Sequence, residues 1–206
     1  MIPLTDCRSA EQYTITAVLA ETYGIVLVVG WAVWAAPFFR LKQVSGRAEK
    51  LDRRARWGIL LEALAFALVW QRRFWRESPG AWRIGLSMVF LLLACILSWT
   101  AVRALGRQWR IDAGLNADHE LVCSGPYRVV RHPIYTSLLC ILLGTGLMVA
   151  PLLRLALVLP LFIAGTEIRV RIEDRLLASR FGEDFRLYQR SVPAYIPFLN
   201  YAWRTS

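Results

Sequence analysis

The apolar run from about Trp82 to Leu105 constrains the fold of this chain more than any other stretch. A helix needs roughly 20 predominantly apolar residues to cross the hydrocarbon core of a bilayer, and this run is long enough. Other apolar segments precede and follow it, so the sequence predicts an all-α polytopic membrane protein with about five transmembrane helices. These segments lie at about 13–36, 57–70, 134–150 and 152–168.

The composition fits a single integral-membrane domain over residues 1–206. Hydrophobic residues make up 56% of the chain, and the charged residues are concentrated between the apolar segments. The net charge of +10 is split among those connections. This distribution favours contact with anionic membrane lipids over contact with nucleic acid.

The cysteines and histidines indicate neither a disulfide framework nor a metal centre. The four cysteines have no paired spacing, and two of them lie in apolar segments. His119 and Cys123 are four residues apart, but His132 is the only other histidine, so we expect no metal site. Residues 1–10 lack a basic region ahead of the first apolar segment, and we expect no cleaved signal peptide.

The first and second apolar segments each contain one acidic residue. Glu21 is near the start of the first segment, which we expect to end at Pro37, and a position at the membrane interface suits it. Glu62 lies in the second segment, which is short and crosses only if its basic flank snorkels or the bilayer thins locally. Acids within a membrane are candidates for function.

The last two apolar segments should form a helical hairpin, since only Pro151 separates them. Gly144 and Gly146 would allow its two arms to approach closely. We expect the fifth helix to continue beyond the membrane through the charged stretch 167–175 and to stop at Gly182. A second polar helix should follow.

The basic residues predict an orientation. With five spans, the connections 40–56 and 103–131 and the tail 169–206 share one side, and they hold 19 of the 25 lysines and arginines. The positive-inside rule then places the N-terminus outside and the C-terminus in the cytoplasm.

The polar stretch Gly125–Tyr135 lies between two apolar segments. Gly125-Pro126 should turn the chain, and the proline after His132 suits the first position of a helix, so His132 should mark a helix boundary. The start of a helix offers unpaired N–H groups and a partial positive charge, which suit an anionic ligand. A plainer alternative is that the arginines and tyrosines of this stretch only anchor a helix at the interface.

Two ordered motifs resemble the isoprenylcysteine carboxyl methyltransferase family and the related membrane phospholipid methyltransferases. The first is Gly-Pro-Tyr-Arg at 125–128 with Arg-His-Pro-Ile-Tyr at 131–135, and the second is Arg-Ile-Glu-Asp at 171–174, followed by Phe181-Gly182, Tyr188 and Val192-Pro193. The stretch 105–109 also matches the family. The resemblance covers about residues 103–198, so residues 1–102 would supply the N-terminal spans and 103–206 the cofactor-binding and catalytic half.

The resemblance implies S-adenosylmethionine as the cofactor, bound in a cytosolic pocket between the last spans and the C-terminal segment. It assigns cofactor binding to Tyr127, Arg131, His132, Pro133, Tyr135 and Tyr188. It assigns catalysis to Arg171, Glu173, Asp174 and Arg169. Asp174 departs from the family pattern, in which a glutamate is commoner.

The residue types allow two kinds of methyl acceptor. A carboxylate is already ionised and needs no base, and an arginine would orient it by a bidentate pair. A lipid amine must lose a proton, which Glu173 or Asp174 could accept. The acceptor would be an isoprenylcysteine-type carboxylate, another lipophilic small molecule or a lipid headgroup.

Arg171 and Glu173 point in directions about 200° apart on a helix, so we expect them to have different roles.

Two other classes of function remain open on the sequence alone. A membrane reductase of the sterol-reductase type would bind NADPH instead, and a non-catalytic membrane interaction protein would bind neither cofactor. Only two of the 25 basic residues are lysines, a bias typical of GC-rich bacterial genomes. If the source is bacterial, we expect the protein in the inner membrane. The sequence does not predict an oligomeric state.

Overall fold

The computed structural model describes residues 5–40, 50–51, 54–71, 79–106, 114–115 and 120–197. These residues are almost entirely helical. The helices are α1 (Thr5–Arg40), α2 (Ala55–Val69), α3 (Ala81–Leu105), α4 (Pro133–Val149), α5 (Leu152–Phe181) and α6 (Glu183–Ser191). A two-residue antiparallel pair joins β1 (Lys50–Leu51) to β2 (Gly114–Leu115).

Among the residues that the structure describes, two helices are long and apolar enough to cross a membrane, namely the Glu21–Phe39 part of α1 and the whole of α3. Large apolar side chains on the outside of the helices are exposed, including Val28, Leu92 and Leu157. Such a surface suits lipid better than water. The prediction of a helical protein with membrane spans is therefore confirmed, while the count of five spans stays a prediction.

Helix α1 continues past the residue at which we expected the first apolar segment to end. Pro37 lies inside the helix. A proline has no N–H to donate to the carbonyl four residues earlier, which here belongs to Val33. The indole of Trp99 in α3 donates to that carbonyl at 2.9 Å. A contact from another helix thus replaces the hydrogen bond that the proline removes.

Helices α3 and α4 pack tightly because a glycine lies at their contact. A Cβ atom on Gly144 would come within 3.0 Å of the Leu91 side chain, and the Ser87 hydroxyl donates to the Gly144 carbonyl at 2.6 Å. The second glycine, Gly146, faces Leu155 on α5. Of the two glycines expected to let the hairpin arms approach, Gly146 therefore faces the opposite arm, whereas Gly144 faces α3.

Helices α2 and α5 also pack around glycines. A Cβ atom on Gly58 would lie 2.6 Å from the carbonyl oxygen of Gly165, and one on Gly165 would lie 2.8 Å from the carbonyl oxygen of Gly58. The two backbones therefore approach more closely than any larger residue would allow.

The three basic connections meet at one end of the bundle. The β1–β2 pair links the 40–56 connection to the 103–131 connection. Ala55, at the start of α2, packs against Ile172 in the second half of α5. The described parts of these two connections and the second half of α5 thus lie close together, while their common side of the membrane stays a prediction.

The C-terminal helices follow the sequence prediction. Helix α5 continues beyond its apolar part to Phe181, and Gly182 then turns the chain with a φ of +57°. Glycine adopts this left-handed conformation without the steric cost that a Cβ atom brings. The polar helix α6 begins at the next residue.

Candidate active site

The Gly125–Tyr135 stretch forms a short 3₁₀ turn, Gly125–Arg128, followed by the start of α4. Gly125 has a φ of +59°, which explains the glycine at this turn. His132 is the residue before the helix and Pro133 its first residue, as the sequence predicts. His132 has a non-helical backbone, with a φ of −126° and a ψ of 64°, and its N–H donates outside the helix.

The C-terminal tail binds to the backbone of Arg131 and His132. The N–H of Arg131 donates to the carbonyl of Pro193, and the N–H of His132 donates to the carbonyl of Ala194, both at 2.8 Å. The Arg131 guanidinium donates to the carbonyl of Gln189 at 3.1 Å and also to that of Val192. The tail residues after α6 are therefore held against the start of α4.

The imidazole of His132 lies between two consecutive carboxylates of α5. Its Nε2 is 2.9 Å from Oδ1 of Asp174, and its Nδ1 is 3.4 Å from Oε2 of Glu173. The ring is nearly buried, with 6% of its side chain exposed. Both nitrogens therefore face anionic partners away from bulk water.

The two carboxylates differ in how many protein groups they bind. Asp174 Oδ2 accepts hydrogen bonds from Arg131 at 2.9 Å and from Gln189 at 3.0 Å. The Asp174 side chain is 12% exposed, whereas that of Glu173 is 27% exposed. Glu173 accepts a hydrogen bond from the Tyr135 hydroxyl. Glu173 is therefore the carboxylate that a ligand reaches more easily.

This arrangement sets the charges of the cluster. Burial by itself lowers the pKa of His132, but hydrogen bonds to Asp174 and Glu173 outweigh burial and raise it to about 9. Burial also opposes ionisation of both acids, yet the hydrogen bonds and charge of His132 hold the pKa of Glu173 and the pKa of Asp174 below their ordinary values. At neutral pH a histidine cation thus lies between two carboxylates.

Tyr127 and Tyr188 join the turn to α6. The Tyr188 hydroxyl donates to the Tyr127 carbonyl at 2.5 Å. Burial raises the pKa of each phenol, so both stay neutral at physiological pH.

The two arginines that precede the acids lie in different places. The Arg169 guanidinium pairs with Glu62 at 2.8 Å and lies 4.7 Å from the centre of the Tyr135 ring. Arg171 is half-exposed and pairs with Glu167 at 3.3 Å. The separation of Arg171 from Glu173 agrees with the helical geometry on which their different roles were predicted.

The predicted site residues therefore fall into three groups. One cluster contains Arg131, His132, Tyr135, Glu173 and Asp174, next to Pro133, Tyr127 and Tyr188. Arg169 contacts this cluster through the Tyr135 ring, and Arg171 lies on another face of α5. The stretch 107–109, which also matches the family motif, lies outside the described residues.

Several contacts were not predicted. Gln189 binds Asp174, and the Tyr195 hydroxyl donates to Glu167 at 2.8 Å. No local pattern distinguishes these two residues from surface positions. Glu62, in contrast, carried a signal, because an acid inside an apolar segment needs a partner.

The fold and the cluster define a helical membrane protein whose polar site lies at one end of its bundle. The chain belongs to the isoprenylcysteine carboxyl methyltransferase family, which it matches over residues 86–179. This range includes α4 and most of α5, and therefore His132, Glu173 and Asp174.

Three curated relatives illustrate the similarity. A probable protein-S-isoprenylcysteine O-methyltransferase of Oryza sativa is 30% identical over 143 residues, which cover 68% of this chain and 70% of the relative. Protein-S-isoprenylcysteine O-methyltransferase B of Arabidopsis thaliana is 30% identical over 122 residues, 58% of this chain and 61% of the relative. A cobalt-zinc-cadmium resistance protein of Cupriavidus metallidurans is 32% identical over 143 residues, 61% of this chain and 66% of the relative.

The matched region spans less than two thirds of the Arabidopsis and Cupriavidus proteins. The names of the relatives also differ. The Cupriavidus protein and a nickel-cobalt-cadmium resistance protein of Alcaligenes are named for resistance to metals, whereas the Arabidopsis protein and a Schizosaccharomyces relative are named for methyl transfer. The comparisons favour neither a reductase nor a non-catalytic membrane protein.

Proposed function

We propose that this chain transfers a methyl group from S-adenosylmethionine to a lipophilic acceptor at the cytosolic face of a membrane. The main support is the partly exposed Glu173 carboxylate, which His132 and Tyr135 hold at the end of the helical bundle. Family membership and the methyltransferase names of several relatives support the same reaction.

The residues at this site fit the proposed cofactor chemically. Glu173 offers a carboxylate to an ammonium group, and Nε of Arg131 is a buried donor without a hydrogen-bond partner among the described residues. Tyr135 supplies an aromatic ring, and the face of such a ring attracts cations, as the position of Arg169 over it shows. Tyr127, Arg131, His132, Pro133, Tyr135 and Tyr188 would hold the cofactor. When bound, it supplies an electrophilic methyl group on a sulfonium.

The charges of the cluster favour a carboxylate acceptor over an amine. An amine needs a base to remove its proton, and an efficient base has a pKa near the working pH. The pKa of Glu173 and the pKa of Asp174 are lowered, while His132 is protonated at neutral pH. A carboxylate reacts without a base, so the isoprenylcysteine type of acceptor suits this site best.

The protein then acts mainly by positioning and by charge. Methyl transfer is an in-line displacement, so aligned reactants contribute a large part of the acceleration. Glu173 remains anionic and offsets positive charge at the reacting centre. Asp174 and Arg131 hold His132, which in turn orients Glu173. Arg171, on the exposed face, would bind the acceptor's anionic group by its planar guanidinium.

We propose that the chain forms one integral-membrane domain with five spans. Residues 1–102 would supply three spans, and residues 103–206 the hairpin and the site. The N-terminus would then be outside and the C-terminus in the cytoplasm of a bacterial inner membrane, with the acceptor reaching the site from the lipid.

Methyl transfer by the purified protein tests the function. Isothermal titration should show saturable binding of S-adenosylmethionine, with NADPH as the control for a reductase. Labelled methyl groups should enter an S-prenylated cysteine that has a free carboxylate, as a base-labile ester, and should not enter its carboxamide. Transfer into the amines of a lipid extract alone would contradict the carboxylate acceptor. Absence of cofactor binding would contradict the proposal itself.

A further inference from the structure

Glu62 is a buried acid in the apolar part of α2. It lies in the middle of α2, and only 5% of the residue is exposed. Both of its carboxylate oxygens have partners on α5, since Oε1 accepts from the Thr166 hydroxyl at 3.0 Å and Oε2 from Arg169 at 2.8 Å. An isolated charge is costly to bury, and the two partners on α5 offset this cost for Glu62.

The glycine contact between α2 and α5 makes this pairing possible. A Cβ atom on Gly58 would come within 2.5 Å of Cγ of Arg169, and one on Gly165 would lie 3.1 Å from the backbone N of Glu62. The Arg169 side chain therefore runs through space that a larger residue at position 58 would fill. Its direction, from α5 towards Glu62, depends on this contact.

Arg169 connects Glu62 to the candidate active site. Its guanidinium carbon lies 4.7 Å from the centre of the Tyr135 ring, a distance typical of a cation–π contact. Tyr135 is 4% exposed, and its hydroxyl donates to Oε1 of Glu173. A continuous series of contacts thus leads from α2 through Arg169 and Tyr135 to the most accessible carboxylate of the cluster.

We propose that Glu62 is a positioning residue, which holds Arg169 against the Tyr135 ring and thereby keeps the Tyr135 hydroxyl on Glu173. This inference rests on the proposed methyl transfer for its effect on turnover. Its structural part, the orientation of Arg169 and Tyr135, does not depend on that reaction. Glu62 itself touches neither Glu173 nor the exposed side of the cluster.

The charge of Glu62 keeps Arg169 away from Glu173. Without that charge, Arg169 loses the carboxylate of Glu62, and Glu173 is another carboxylate whose charge acts on Arg169. An ion pair between Arg169 and Glu173 would displace the Tyr135 hydroxyl and compete with His132. Glu173 would then be less available to a ligand.

Turnover tests the first consequence. Glu62→Gln keeps the shape of the side chain and should lower kcat at least about tenfold, while Ser87→Ala removes a buried hydrogen bond between other helices and should leave kcat unchanged. Tyr135→Phe removes the hydroxyl that Glu62 is proposed to position. The double variant Glu62→Gln/Tyr135→Phe should therefore be no slower than the slower single variant. If the fold-decreases in kcat of the two single variants multiply in the double variant, the proposal is overturned. Wild-type kcat in folded Glu62→Gln protein would overturn it too.

A second pair of measurements covers instability of Glu62→Gln and failure of the reaction itself. Glu62→Met/Arg169→Met replaces the buried ion pair by apolar side chains of similar size, a change that proteins often tolerate. It should fold and be slower than the wild type, because no cation then holds the Tyr135 ring, and wild-type turnover in it would overturn the proposal. His119→Gln removes the other histidine of the chain. In that background, NMR titration of the His132 ring reports the charges of the cluster directly.

The titration separates the two proposals. In Glu62→Gln protein, competition from Arg169 for Glu173 should move the His132 midpoint to lower pH, and in Ser87→Ala protein the midpoint should stay in place. An unchanged midpoint in Glu62→Gln protein would overturn the positioning role. A shifted midpoint in a protein that transfers no methyl group to any acceptor would support the positioning role and contradict the proposed function.

Discussion

The ring of His132, at the start of α4, lies 2.9 Å from the carboxylate of Asp174, far along the chain on α5. This contact connects the two motifs on which the family resemblance depends. Arg131, the neighbour of His132, binds the same carboxylate through its other oxygen. Asp174 therefore holds both Arg131 and His132 against α5.

Breaking the contact should destabilise the protein. Asp174→Asn leaves two buried cations, Arg131 and protonated His132, with one fewer anion. Loss of one partner of a buried pair costs about 3–5 kcal/mol, so we expect a clear decrease in the unfolding midpoint in detergent micelles. Glu183→Gln, on the exposed surface of α6, serves as the control and should leave the midpoint nearly unchanged. Equal midpoints for both variants would contradict this role of Asp174.

The histidine and its acids predict a pH dependence of stability. The folded pKa of His132 is raised from 6.5 to about 9, so its contribution is complete below pH 6.5 and is lost as the pH rises through about 9. The pKa of each acid is lowered, so their contribution is present above their ordinary values of 3.8 and 4.5 and is lost in acid. Stability from the cluster should therefore be greatest between about pH 4.5 and 6.5.

Thermal unfolding of the wild type and of His132→Asn at several pH values measures this dependence. The difference between the two proteins should shrink as the pH rises from 6.5 through 9. A difference that is constant over this range would show that His132 stabilises the protein by packing alone.

Glu173 should affect turnover more than folding. Glu173→Gln keeps the shape of the side chain and removes its charge, and we expect kcat to decrease at least about tenfold, a barrier change of about 1.4 kcal/mol. Steady-state kinetics with both substrates varied measures it, and thermal unfolding provides the control for stability. Wild-type kinetics would mean that the reacting centre lies elsewhere.

Arg171 should affect the acceptor. Arg171→Lys keeps the charge but loses the planar group that binds a carboxylate through two hydrogen bonds, so the KM of the acceptor should rise while kcat changes little. Arg186→Lys, on the exposed surface of α6, is the matched control. A decrease in kcat at unchanged KM would instead place Arg171 at the reacting centre.

The proposed topology predicts the location of both termini. Reporter fusions at Ala10 and Ser206 should report opposite sides of the membrane, with Ser206 in the cytoplasm. The prediction depends on an odd number of spans, and its weakest element is the short helix α2. Both reporters on the same side would show that the number of spans is even, most simply because α2 does not cross.

The helices and their limits could be predicted from the sequence because their signals are local. Apolar length located α3, the proline after His132 marked the start of α4, and Gly182 ended α5. A local signal failed at Pro37, where the hydrogen bond from Trp99 to Val33 keeps the helix intact. That contact joins two helices, so the sequence around Pro37 does not predict it.

The chemistry of the site was partly determined by the same local information. The two motifs identified His132, Tyr135, Glu173 and Asp174 as candidates, and helical geometry separated Arg171 from Glu173. The sequence by itself thus determined the residue types, the helices that carry them and their directions around each helix.

Only the tertiary structure decided which of these groups meet. The two glycines between α2 and α5 bring Glu62 to Arg169, and the backbone of the tail pairs with Arg131 and His132. These contacts depend on the distance between helices, which is set by packing over the whole bundle. The sequence around each residue does not encode the distance between two helices. The pairing of residues that are distant in the sequence is therefore seen only in the folded chain.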